Sequence, residues 1–409
     1  MFIKKDVYNA HYIVPRKLPA RPSKGPRENL VTNLKISILG TRGIPARYGG
    51  FETCVEEIAV RLVRRRHEVT VYCRTENPSA RHREYKGVEL IDVPAFSRRF
   101  IAAPFNSFTT TVLGSLSDAD ILHYFGCGNA LFSLLGRLVN KSTVLTVDGL
   151  EWNRQGYSWF ARAYLRSFAE LAMVFPSRTI ADSESSQRWY QSRTGVAPEY
   201  IPYGTELSRG IDVDVLKKYG LEEDRYVLFA GRLVYEKGVH TLVEAFKSVK
   251  TDLKLVVVGE APESEDYIAG LKKSADGRTM FLGYLYGDDF ETVRNAALLY
   301  VHPSLLDGTS ISLLGAMGAG RAIISSDIRE NQDVAGDSAI YFRRGESADL
   351  SQKLQDILKD PDRIEKLGKA SLERASRLYD WDTVTNEYER IYRELLARHS
   401  QRAGRERTP

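Results

Sequence analysis

Residues 301–320 read VHPSLLDGTSISLLGAMGAG. An apolar run ends near His302, an acidic turn follows at Asp307, Gly308, Thr309 and Ser310, and small residues then recur through a helix expected over 310–317. The first N–H groups of a helix have no carbonyl partner within it. The aligned peptide dipoles add partial positive charge, so such a start attracts anions, phosphate above all. Gly308, Thr309, Ser310 and Ile311 are therefore candidate backbone contacts for an anionic group. Asp307 has two readings: its carboxylate accepts from a ligand hydroxyl, or it caps the helix.

The same strand–turn–helix pattern recurs on both sides. Upstream, a strand expected over 226–230 runs into GRLVYEKG at 231–238. There Gly231 lets backbone approach a ligand, Arg232 offers a planar two-pronged contact to phosphate oxygens, and Lys237 adds a point charge. A surface ion pair with Glu236 or Glu244 is the alternative reading of those cations. Strands are expected at 253–258, 279–282, 298–302, 322–326 and 338–342. Further upstream a second set appears at 34–39, 68–72, 88–93, 121–124, 142–147 and 178–181, with helices at 51–66, 108–116, 131–138 and 158–174. Strands alternating with helices predict an α/β chain with mostly parallel sheets covered on both faces.

The loop at 40–50, GTRGIPARYGG, lies between the first strand and its helix, where open α/β sheets bind ligands. Its glycines do not have G-x-G-x-x-G spacing, and the next strand ends in Cys73 and Arg74 rather than a ribose-binding acid, which argues against a dinucleotide enzyme. The glycines of this loop allow close approach of backbone to phosphate; the alternative reading is a long turn that only joins strand to helix. Asp148 follows another buried strand and is either a polar or acid/base group at a cleft or a turn aspartate. Glu151 competes with it for that role.

With 409 residues, two domains are expected. No apolar run of about 18 residues and no signal-peptide core is found. The three scattered cysteines form no disulfide framework, as in a reducing cytosol. The net charge of +5 is concentrated in the ends: residues 1–34 carry +5 and residues 397–409 carry +3, leaving −3 on the body. Such ends either contact an anionic membrane or are solvated and disordered. Arg64, Arg65 and Arg66 on the first helix, and Arg98 and Arg99 before Phe100 and Ile101, are further candidates to meet an anionic membrane; a solvated helix end explains the first three equally well. Nucleic acid is not an expected partner, since the basic ends lack interleaved aromatics. No metal site or resident cofactor is expected.

These stretches, together with IPYG at 201–204, VVG at 257–259 and HPS at 302–304, resemble the family-4 retaining glycosyltransferases of GT-B architecture. The stretches ILGTRGIPARYGGFE at 38–52 and VDGLEWNR at 147–154 resemble a narrower bacterial subgroup described as rhamnosyltransferase-like. The resemblance spans roughly residues 35–396. It implies a fold of two Rossmann-like domains facing across a cleft. The leader would be 1–34, the acceptor domain 35–200 and the nucleotide-sugar domain 201–375. A helix at 376–396 would pack back on the first domain, ahead of a basic tail at 397–409.

The resemblance also implies a cytoplasmic, metal-independent hexosyltransferase, peripheral to the membrane at most. It would move sugar from a UDP, GDP or dTDP donor to a glycan or lipid-linked acceptor in surface polysaccharide synthesis. Arg232 and Lys237 match the diphosphate-binding pair, Gly49 and Gly50 the loop approaching the diphosphate, and Asp148 a position near the transferred sugar. Asp307 stands at the first position of the family's Glu-x7-Glu element, which contacts the donor sugar. Gly315 replaces the second glutamate, which holds the ribose. That loss implies weaker donor binding, by about ten- to a hundredfold. It keeps open an impaired or non-catalytic nucleotide-sugar-binding chain, beside a nucleotide-sugar epimerase of the same architecture.

Overall fold

The computed structural model describes residues 33–405 apart from 47–48, 76–82, 96–101, 149–158 and 209. Nearly all of the expected leader, Arg98, Arg99, Glu151 and residues 406–409 lie outside the described residues.

The first half forms β1 (Lys35–Leu39), α1 (Gly50–Arg64), β2 (Glu68–Thr75), β3 (Arg83–Tyr85), β4 (Val88–Pro94), α2 (Ala102–Leu116), β5 (Ile121–Phe125) and α3 (Ala130–Leu138). It continues with β6 (Ser142–Val147), α4 (Trp159–Leu171), β7 (Arg178–Ala181), α5 (Glu184–Thr194) and β8 (Glu199–Tyr200). The strands pair in the order β3-β4-β2-β1-β5-β6-β7-β8, parallel except for the β3–β4 hairpin. Central strands such as β5 and β6 are buried along their whole length, as parallel strands covered on both faces are.

The second half opens with α6 (Val213–Lys218), β9 (Tyr226–Ala230), α7 (Val239–Lys247), β10 (Lys254–Val258), α8 (Glu265–Ser274), β11 (Thr279–Gly283), α9 (Gly287–Asn295) and β12 (Leu299–His302). It continues with α10 (Ile311–Gly318), β13 (Ala322–Ser326), α11 (Arg329–Ala335), β14 (Ala339–Phe342), α12 (Ser347–Ile357), α13 (Pro361–Leu378) and α14 (Trp381–Arg405). This sheet is wholly parallel, in the order β11-β10-β9-β12-β13-β14. The chain therefore has the expected α/β fold with two Rossmann-like sheets.

Each sheet reverses its winding once, between β1 and β5 in the first and between β9 and β12 in the second. Loops at the carboxyl ends of strands flanking such a reversal splay apart and leave a crevice. The 40–50 loop leaves β1, the 231–238 loop leaves β9, and the 303–310 loop leaves β12.

Two chain crossings join the halves, and they run side by side. Thr205 N–H donates to the Tyr379 carbonyl at 2.6 Å, and Thr205 bridges to Asp380 in parallel. The Trp381 indole lies where a Cβ on residue 204 would be, so only glycine fits there.

Helix α14 then packs on α1, burying Trp381, Val384, Tyr388, Ile391, Tyr392 and Leu395. Each large apolar side chain so buried is worth about 1.5–3 kcal/mol. The exposed Arg390 pairs with Glu387 and Glu394 are worth about 1 kcal/mol or less, so the apolar stripe decides the docking. Beneath it, the fully buried His123 ring lies 2.7 Å from the Tyr392 hydroxyl and 2.8 Å from Thr146 Oγ1. Burial holds that imidazole down to about 3, hence neutral.

The structure shifts several expected boundaries. The helix placed at 376–396 divides: α13 runs through Leu378 and α14 begins at Trp381, because Asp380 accepts from the N–H groups of Asp382 and Thr383 and starts a new helix. Helix α14 also continues to Arg405, past the expected tail start at 397, since no proline interrupts it. Residues 199–200 form β8, whose backbone completes the first sheet. Arg65 is not presented to a membrane: it donates to Glu389 at 3.1 Å and to Asp382 at 3.2 Å, tying α1 to α14.

Candidate active site

The loops leaving β9 and β12 are knitted together. Leu305 N–H donates to the Glu236 carbonyl at 2.7 Å, and Gly238, at φ 66°, presses against the Pro303 carbonyl where a Cβ would collide. This packing carries Lys237 onto Asp307. Lys237 Nζ lies 2.7 and 2.6 Å from the two Asp307 carboxylate oxygens. The same carboxylate accepts from Ser304 Oγ at 2.9 Å and from the Gly308 N–H at 3.0 Å, and lies 2.9 Å from His302 Nε2.

Burial raises the Asp307 carboxyl, but the Lys237 charge and the His302 hydrogen bond outweigh it and hold it well below the usual carboxylate range. Burial lowers His302 more than Asp307 raises it, so the ring is neutral at pH 7. Its Nε2 faces a carboxylate that can only accept, which assigns the proton to Nε2. Asp307 does not cap α10. The N-cap is Ser310, with no side-chain capping bond, so of the two readings of Asp307 the structure removes the cap.

The first turn of α10 thus has no side-chain cap, and its residues Ser310, Ile311 and Ser312 line the cleft. Thr309 turns its hydroxyl away and donates to the Asp182 carbonyl of the opposite lobe at 2.7 Å. Helix α1 starts the same way: Gly49 is its N-cap at φ 99°, with no side-chain cap. A Cβ on Gly50 would lie 3.2 Å from the Tyr203 ring and 3.7 Å from Ile311 Cδ1. The starts of α1 and α10 thus meet, with Gly50 facing Ile311.

One cleft collects eleven of the residues singled out in the sequence. Gly49, Gly50 and Asp148 line it from the first lobe, and Gly231, Arg232, Lys237, Asp307, Gly308, Thr309, Ser310 and Ile311 from the second. Its volume of about 1530 Å³ exceeds the roughly 300–1,000 Å³ of an ordinary single-ligand site, leaving room for two substrates. Arg232 is exposed into it and Lys237 half-buried.

The sequence reading missed other lining residues. Asp182 follows β7 as Asp148 follows β6, so its place after a strand was a signal available for it. Tyr203 is buried between them. Burial first, then the Asp182 and Asp148 charges, push its phenol far up, so it stays a neutral hydroxyl. Tyr235, Tyr267, Tyr284 and Tyr286 make an aromatic wall on the second lobe that no spacing rule would have found.

Gly315 does not line this cleft. A Cβ there would lie 2.6 Å from Arg294 Nη1, whose guanidinium is buried and pairs with Glu291. Four Asp-x-Asp pairs, at 118/120, 212/214, 360/362 and 380/382, also lie off the cleft; Asp212 and Asp360 cap helices. Among the described residues no group of three or more His, Cys, Asp or Glu side chains is placed to hold a metal.

Comparison with known proteins bears on both lobes. Residues 48–209 match the family described as Glycosyltransferase Family 4, and residues 214–374 match Glycosyl transferases group 1. The alpha-maltose-1-phosphate synthase of Mycobacterium tuberculosis is 24% identical over 403 residues, covering 89% of this chain and 100% of that enzyme. The O-antigen chain mannosyltransferase B of Escherichia coli is 23% identical over 220 residues, and this chain spans 55% of it.

Among solved structures, sucrose-phosphate synthase from Thermosynechococcus elongatus superimposes with a TM-score of 0.77 at 20% identity, covering 89% of this chain and 100% of that one. Anabaena HepE, solved with UDP and glucose, gives 0.72 at 18% identity, covering 88% and 100%. These likenesses show the shared fold. With one lobe matching each half of the family and the switch-point cleft between them, the chain belongs to the family-4, group-1 retaining GT-B glycosyltransferases, a nucleotide-sugar-dependent family.

Proposed function

We propose that this chain transfers a sugar from a nucleoside diphosphate donor to a hydroxyl of a glycan or lipid-linked acceptor in cell-surface polysaccharide synthesis, at the cytoplasmic face of the membrane. The observation that carries this is the convergence of two uncapped helix starts, α1 and α10, with Arg232 and Lys237 on one cleft. That arrangement suits the pyrophosphate of a departing nucleotide. Arg232 and the α10 N–H groups stabilise the charge that grows as the glycosidic bond breaks, and no metal is required for that work.

Lys237 has a double task. In the structure it neutralises buried Asp307, so donor binding recruits a lysine already held in place. Asp307 then orients the donor sugar, while Asp148, with Asp182 and Tyr203 behind it, meets the acceptor hydroxyl. Departure and attack on one face of the sugar retain the anomeric configuration. Closure of the lobes about the paired crossings at Thr205 and Asp380 excludes water.

The stretches at 38–52 and 147–154 support membership in the rhamnosyltransferase-like subgroup. UDP-sugars are the first donors to test, since HepE holds UDP in this fold.

A thermal-shift screen of UDP-, GDP- and dTDP-sugars, followed by product analysis with a polyprenyl-linked acceptor panel, tests the reading. It is expected to give one donor that raises Tm and a retained-configuration product. A changed free sugar nucleotide would mark an epimerase, and binding with no turnover a non-catalytic chain. Protection by none of the donors would sink the proposal.

A further inference from the structure

The charge-free helix α2 is built inside out. Its polar residues Asn106, Ser107, Thr110 and Thr111 are buried against the sheet. Its exposed residues are Phe105, Phe108, Val112, Leu113 and Leu116, the last 82% exposed. Thr110 and Thr111 tolerate burial because their hydroxyls donate to carbonyls one turn back, at 2.9 and 2.6 Å. Asn106 has no hydrogen-bond partner for either amide atom among the described residues. Water alone would favour the opposite rotation of this helix, so its outer face is selected for something other than solvent.

The apolar face continues across the layer that α2 forms with α3 and α4. Leu138, Val139 and Val174 are exposed at the carboxyl ends of α3 and α4, and Trp159 at the start of α4. Two cations are pinned beside that end. Arg137 donates to the Val174 and Phe175 carbonyls at 3.2 and 2.9 Å. Lys141 donates to the Ser117 and Ala119 carbonyls at 2.8 and 2.9 Å. Arg166 is exposed on α4. The acids of the layer are already engaged: Asp118 with Lys35, and Glu170 with Arg193 at 2.7 Å.

We propose that the α2–α3–α4 face is the surface by which the protein lies on an anionic lipid bilayer, with α2 embedded in the headgroup region parallel to the membrane plane. The exposed stripe from Phe105 to Leu116 spans about 16 Å of helix, long enough to lie in the interface and far too short to cross a bilayer. Trp159 suits the headgroup boundary, and the cationic rim meets anionic lipid. A second copy of the chain is a poorer occupant, because a two-fold interface through this face sets like charges against each other. The surface stands on α2 and its rim and is independent of the donor chemistry proposed above.

The test is co-sedimentation of the full-length chain with phosphatidylcholine vesicles, with and without about 30 mol% phosphatidylglycerol. The wild type is expected to bind the anionic vesicles and to be released by salt. Phe108→Glu with Leu116→Glu is expected to reduce binding about tenfold or more at unchanged Tm, since both side chains are exposed. Leu138→Glu with Val139→Glu is the second variant, should the first affect folding. Failure of the wild type to bind anionic vesicles would overturn the proposal. So would equal binding by both variants, which would assign adhesion to the basic ends. A dimer that the variants split, with no vesicle binding, would make the face a subunit interface. None of these outcomes depends on sugar transfer, so they leave the enzymatic reading to its own assay.

Discussion

The two walls of the cleft are built from the same strand–loop–helix unit, yet they are equipped differently. The second lobe presents Arg232 and a charged knot, Lys237–Asp307–His302–Ser304, whose members fix one another at hydrogen-bond distance. The first lobe presents glycine at the start of α1, strand-end carboxylates at Asp148 and Asp182, and Arg42. Carboxylates line both walls, but Lys237 and Arg232 stand on the second and Asp148 and Asp182 on the first; in the reading proposed above, the second wall meets the departing anion and the first the incoming hydroxyl.

Removing Lys237 should give the largest effect. Lys237→Ala leaves Asp307 buried without its main counter-charge, and breaking such a pair costs about 3–5 kcal/mol of stability along with turnover. Adding Asp307→Asn should restore most of the Tm and none of the activity, which separates folding from chemistry by calorimetry and assay. If the double variant retains turnover, the knot is structural only.

Next comes Arg232→Ala. The side chain is exposed, so Tm of the free protein should stay put while donor affinity falls about ten- to a hundredfold, read by titration calorimetry. Asp148→Asn probes the other wall: donor affinity should be kept and turnover reduced by about a hundredfold. If it instead weakens donor binding as much as Arg232→Ala, the two walls do not divide the work.

A smaller effect concerns stability against pH. Folded His123 titrates near 3 while the unfolded side chain titrates near 6.5, so the unfolded chain binds more protons between those values. Stability should be flat above pH 7 and fall on acidification, by roughly 2 kcal/mol at pH 5. His67 and His302, both lowered first by burial, act with the same sign. His123→Gln should flatten part of this slope in thermal melts, as a change in the α14 clamp and not in the cleft.

The smallest change is expected from Gly315→Glu. The new carboxylate meets Arg294 and pairs with it, so donor affinity should shift by no more than about threefold. Tenfold tighter binding would show that this position reaches the ribose after all.

Much of the cleft was legible one loop at a time. Turns such as 231–238 and 307–311 follow buried strands and open helices, and glycine, arginine and lysine at such points have few structural uses. Asp182 was missed because it shares only half of the signal that flagged Asp148: it follows a strand, but Ser183, the N-cap of α5, stands after it in place of a glycine. The inside-out rotation of α2 was also out of reach. Its apolar and threonine-rich sides are hard to rank by hydrophobicity, and only packing against the sheet shows which side is covered.

The amino-acid order alone determined the α/β alternation, the glycine-bearing loops after the strands and the family, because these depend on neighbours within about a dozen residues. The tertiary structure decided that Lys237 is spent on Asp307, that position 315 faces Arg294, and that α2 shows its apolar side to the outside. Each of those depends on which distant segment fills a particular space, and close packing of two sheets and a returning helix settles that only once the whole chain is folded.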